Sequence, residues 1–129
     1  MLKYPKEYQE FSTLVQKYVV YHILLKVLHY DQKQMSSSSL KLARAYTEML
    51  NEMQWRVEKD LTEIKRQMKK LGGTIIKEEQ QQTVRIVEAK FRGFIYTHRF
   101  MNYLLQSESE QVFQSYVFPQ RDKGKLTSS

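Results

Sequence analysis

Cysteine is absent from the 129-residue sequence, which excludes disulfides, thiolate metal sites and cysteine nucleophiles together and leaves stability to packing. Glycine occurs only four times, and none of the four sits in a phosphate-cradling loop, so nucleotide hydrolysis and dinucleotide binding lose their usual signatures. Long apolar runs are missing too. The most apolar stretch, Tyr18 to Tyr30, has 13 residues and contains His22, Lys26 and His29, whereas a membrane span needs about 20 apolar residues. The opening MLKYPKEYQE carries acids and a proline where a secretory leader would turn apolar, so no signal peptide is evident and a cytoplasmic location is expected.

What is present suits one domain. With 41% hydrophobic and 27% charged residues, a chain of this length can bury about two thirds of its unfolded surface around a single core. The net charge of +7 permits contact with anionic partners but is spread along the chain rather than concentrated.

Tyr8, Phe11, Val15, Tyr18, His22, Leu25 and Leu28 follow three- and four-residue steps and predict a helix from Glu7 to about Tyr30, with Pro5 at its start. Val19, Val20, Ile23, Leu24 and Val27 fill its other faces, so this helix belongs at the centre of the core. DQKQMSSSS (31–39) reads as the connection, its serines accepting from the free amides of the next helix; a regulatory or phosphorylated tract is the other reading. Leu42, Tyr46, Leu50, Met53, Val57, Leu61, Ile64, Met68 and Leu71 then alternate steps of four and three, predicting a second long helix that Gly72 and Gly73 end.

Beyond the glycines, β-branched residues dominate Thr74 to Ile76 and Thr83 to Val87, either side of KEEQQQ. This predicts a β-hairpin with strands near 74–79 and 83–92, against a competing helix from Glu78 to Phe91. Phe94, His98, Met101, Leu105, Val112, Phe113 and Tyr116 predict a last helix from Phe94 to about Phe118, followed by a polar tail over 119–129. The expected fold is mainly α (α+β): two long antiparallel helices and a C-terminal helix with one hairpin near 74–92, a single domain over 1–118. The order of LGGTIIKEE, TVRIVEAKFRG and FIYTHRF resembles small uncharacterised proteins of Bacillus-type Gram-positive bacteria over residues 70 to 105. That resemblance implies a helix, helix, hairpin, helix order and carries no activity, cofactor or site residue.

Catalytic signatures are lacking. His22 and His29 lie seven residues apart, about 10 Å along a helix, and no HExxH, ExxH or GxSxG occurs, so neither a metal, a cofactor nor an enzymatic activity is expected. Glu78-Glu79 reads as a solvated turn. Lys90, Phe91, Arg92, Gly93, Phe94 and Tyr96 mix charge with rings, but RGFIY departs from the RNA-recognition signature at Ile95 and lacks the surrounding alternation.

Two binding surfaces are expected. Tyr46, Met49, Met53 and Trp55 on the long second helix form a candidate partner-binding face, with Trp55 alternatively sealing the core edge. Lys65, Arg66, Lys69 and Lys70, extended by Lys77, Arg85 and Arg92 on the hairpin, form a candidate phosphate-binding set, although the helix macrodipole already favours cations at that end. The expected function is a non-enzymatic protein-protein interaction or regulatory role, with self-association as a homo-oligomer or another protein as partner. The alternative is sequence-tolerant nucleic-acid binding; no membrane contact is expected.

Overall fold

A computed structural model describes residues 6–119. Six elements follow one another: α1 (Lys6–Ser36), α2 (Ala43–Leu71), β1 (Gly73–Gln80), β2 (Val84–Phe91), β3 (Phe94–Met101) and α3 (Asn102–Val117). The mixed α+β class matches expectation, but the antiparallel sheet has three strands in the order β1-β2-β3 instead of two. Pro5 and residues 120–129 of the expected tail lie outside the described residues. Among the described residues, no helix is long and apolar enough to cross a membrane.

The all-round greasiness of α1 has a direct structural counterpart. Tyr8, Phe11, Val15 and Val19 are buried with Val87, Ala89 and Phe91 of β2, while Ile64 and Met68 of α2 close the same cluster. Leu24 and Leu28 are buried with Leu50, Met53 and Val57, and Val112, Phe113 and Tyr116 of α3 pack against that second cluster. One helix thus has the sheet, α2 and α3 on successive sides, which is why no single polar face is left in its middle turns. Phe11 is fully buried and stacks on Phe91 at 4.9 Å between ring centroids, a burial that stabilises by about 2–3 kcal/mol.

The first helix runs six residues beyond Tyr30, because residues 31–36 contain neither glycine nor proline to stop it. Its end is held by the serines, in the opposite sense to the expectation. The Ser36 and Ser37 hydroxyls donate back to the Lys33 carbonyl at 3.0 and 3.2 Å, so they satisfy the end of α1; the N-cap residue of α2, Leu42, has no side-chain cap bond.

The second helix ends as its glycines predict. Gly72 takes φ 95° and returns its N–H to the Lys69 carbonyl at 3.0 Å. Gly73 is needed for space, since a Cβ there would lie 2.1 Å from the Phe11 ring.

The last helix departs from expectation at its start. Phe94–Met101 is a strand, paired with β2 from Phe91↔Phe94 to Val84↔Met101. Arg92 and Gly93 both have positive φ, 50° and 88°, which makes a two-residue turn of the primed type whose twist suits a hairpin. Only Asn102–Val117 is helical. Where strand passes to helix, the Asn102 side chain donates to the Gln81 carbonyl at 3.1 Å and its N–H to the Thr83 carbonyl at 2.9 Å, tying this corner to the β1–β2 turn.

Candidate functional site

A groove of about 690 Å³ runs between α1 and α3. Its apolar lining comes from Ile23, Leu24, Val27 and Leu28 of α1, Leu50 of α2, and Leu105, Phe113 and Phe118 of the α3 segment. Gln80, Arg85 and Asn102 stand at the end where the sheet closes it, and Asp31 and Glu110 add carboxylates to the lining. The volume is that of a pocket for a small molecule or a few side chains of a partner. Val27 and Phe118 are exposed, so the groove opens to solvent along its length.

Arg85 is the most buried cation here. On β2 it shares the inward face with Val87, Ala89 and Phe91, whose burial alternates with the outward residues between them. Its Nη1 donates to Glu78 Oε2 at 2.8 Å and its Nη2 to Gln80 Oε1 at 3.1 Å, while its buried Nε has no hydrogen-bond partner. The other Glu78 oxygen lies 3.3 Å from His22 Nδ1. Burial, and then the Glu78 carboxylate to which it hydrogen-bonds, raises the Tyr18 phenol. The pair Glu78-Glu79, adjacent in sequence, is divided by this network: Glu78 is mostly buried over Arg85 and Glu79 faces solvent.

The residues assigned to a partner face do not share one surface. Met53 is buried between α1 and α2. Tyr46 lies one turn before Leu50 on the core-facing stripe and is exposed together with Met49, where that stripe runs past the elements covering it. Trp55 points away from Val57 and is 57% exposed, with Lys59 Nζ 5.2 Å from its ring centroid; it does not seal the core.

The basic set also divides. Lys65 and Lys69, four residues apart, line a depression of about 620 Å³ together with Lys90, Gly72, Gly73, Thr74 and Gly93. Lys65 Nζ lies 5.9 Å from the centroid of the Tyr18 ring that forms one wall. Arg66 and Lys70 are absent from this lining. Arg66 instead grips Glu63 with two bonds of 2.9 and 2.6 Å, which with Gln67 holds that carboxyl at about 2. Arg85 is removed from the surface by its burial under Glu78, a correction to its place in an exposed phosphate-binding set. Lys77 pairs in register with Glu88, and the Arg92 guanidinium lies 5.0 Å from the Phe91 ring centroid. Lys90, from the run that mixes charge with rings, joins this lining because the register Thr74↔Lys90 brings it beside the glycines, and such a register is legible only once the hairpin is aligned.

The histidines are separated. His29 is exposed on α1, and His98 is buried with its Nε2 3.3 Å from the Tyr8 hydroxyl. Among the described residues, no three histidine, aspartate or glutamate side chains are placed to hold a metal ion.

The family model described as YhjD protein matches residues 5–121, so the chain belongs to the YhjD family. The uncharacterized protein YhjD of Bacillus subtilis (strain 168) is 20% identical over 114 residues, covering 88% of this chain and 95% of that protein. No solved structure matches the chain.

Proposed function

We propose that this YhjD-family chain is a cytoplasmic, non-catalytic interaction module that self-associates, the α1–α3 groove of one copy receiving the outer face of α2 around Trp55 from another. The supporting observation is the match between the two surfaces. The groove is apolar, and its Asp31 and Glu110 carboxylates have no ion pair among the described residues. Trp55 is an exposed ring accompanied by the Lys59 ammonium. An apolar cleft edged with unpaired acids suits an aromatic accompanied by one cation, and aromatic anchors in such clefts carry much of an interface's energy.

The absence of catalysis in this reading rests on what the polar side chains already do. His22 faces Glu78, His98 is turned into the core, and the buried Ser109 hydroxyl donates to the Leu105 carbonyl at 2.8 Å. None is left as a nucleophile beside a base.

Because the groove and the Trp55 face are different surfaces, the contact is heterologous and joins copies head to tail. Light scattering on the wild type is expected to give a mass above the 15.6 kDa of one chain. Trp55→Ala and Val27→Asp, each at an exposed position, should both lower it to one chain, the first weakening association by about 30-fold or more. An equimolar mixture of the two variants should restore a two-chain species, since each keeps the surface the other lacks. A wild type that stays at one chain over the accessible concentration range, or a Trp55→Ala variant with unchanged mass, overturns the proposal.

A further inference from the structure

We infer that the depression between the last turns of α2 and the start of β1 is a binding site for a phosphate-type oxyanion, either the free ion or a small phosphomonoester. Three lysines, Lys65, Lys69 and Lys90, line it, and no acidic residue does. None of the three has an ion pair among the described residues, although Arg44, Arg56, Arg66 and Arg85 each have one. Like charges gathered without counterions repel one another, and a bound dianion relieves that repulsion while gaining attraction to all three. Lys65 is held in place by the Tyr18 ring.

The floor favours a compact ligand. Gly72 and Gly73 present no side chains there, and Thr74 adds a hydroxyl that can donate to an oxyanion. Both glycines have independent reasons to be glycine, a left-handed cap and the Phe11 ring behind Gly73, so the bare floor follows from the fold. A nucleic-acid backbone would need a cationic track extending past the depression. The four cations clustered near the end of α2 do not supply one, because only two of them face this cavity. The site is separate from the α1–α3 groove, whose lining shares no residue with it.

The test is an amide-resolved NMR titration with sodium phosphate and then pyrophosphate, at constant ionic strength set with chloride. Saturable shifts are expected at residues 65–75 and 90–93. Substituting Lys65, Lys69 and Lys90 together by glutamine should weaken binding at least tenfold. Lys70→Gln, outside the depression, should leave it within twofold, and unchanged circular dichroism would show that both variants fold. Parallel arms use vesicles containing phosphatidylglycerol and a short single-stranded DNA. Phosphate shifts that do not saturate, or that persist in the triple variant, overturn the inference. So does binding confined to vesicles or to DNA and equally sensitive to Lys70.

Discussion

His98 sits on the inward face of β3 with its ring against Phe100 and Tyr8, and burial lowers its pKa below the ordinary 6.5. In the unfolded chain the imidazole takes its proton near 6.5, so acidification through that value favours unfolding until the folded-state pKa is also passed. Stability from this group is therefore complete above that value and is lost below it. The urea midpoint of the wild type should fall between about pH 7.5 and about pH 5, and His98→Gln should flatten that segment. The response of Glu63, held at about 2, belongs to the more acidic range below its ordinary 4.5, so the two are separable. At this scale the sequence is informative where a residue's neighbours in the chain decide its role. Gly72 and Gly73 read correctly as a stop because the helical stripe ends at Leu71. Arg85 does not read correctly, since its burial depends on which face of an alternating strand meets α1, and a charged residue among Val84, Ile86 and Val87 gives no sign of being on the inner one.

Elements were legible in proportion to how cleanly one period dominated. In α2 the four-and-three stripe stands against a charged remainder, and the observed helix, Ala43–Leu71, begins just after the stripe's first residue and ends on its last. In β3 two periods coexist. Phe94, His98, Met101 and Leu105 have helical spacing, yet Tyr96, His98 and Phe100 alternate inward along a strand, and the aromatic and β-branched content favours the strand. The turn was hidden because Arg-Gly replaces the usual Asn-Gly, with Arg92 itself in the left-handed region. The short α3 is secured at two points by different means. Near its middle Gln16 donates to Glu108 at 2.8 Å, and near its finish the Tyr116 hydroxyl donates to the Asp60 carboxylate of α2. Burial and Asp60 push the Tyr116 phenol well above its usual range, so it remains a donor throughout the working pH range. Tyr116→Phe keeps the ring and removes that bond, at a cost of about 1 kcal/mol. Hydrogen exchange should quicken by about fivefold over the last turns of α3 and by the same factor at the β2 amides that exchange through global unfolding, since both openings break the bond; unchanged exchange at both would mean that the bond adds nothing to stability.

Across the whole molecule, α1 is the central element, packed against the sheet, α2 and α3. This was legible because its apolar residues cover every side, whereas both cavities were not. The groove draws Val27, Arg85 and Phe118 from remote parts of the chain, and the depression joins the end of a helix to a strand register. A shared central helix also makes a claim about cooperativity. Leu24 is buried among Leu50, Met53, Val57 and α3, away from the sheet. Leu24→Ala should cost about 2–5 kcal/mol through lost burial and a residual cavity. Because α1 also carries Phe11, Val15 and Val19 into the sheet cluster, unfolding at one end removes the support of the other. The slowest-exchanging amides of β2, which exchange through global unfolding, should therefore lose the same protection free energy as those of α2. If β2 kept its protection while α2 lost it, the two clusters would be independent units and α1 would only connect them. Equal losses would establish that both cavities stand on one cooperative core, so that a ligand bound in either would raise the stability of the whole.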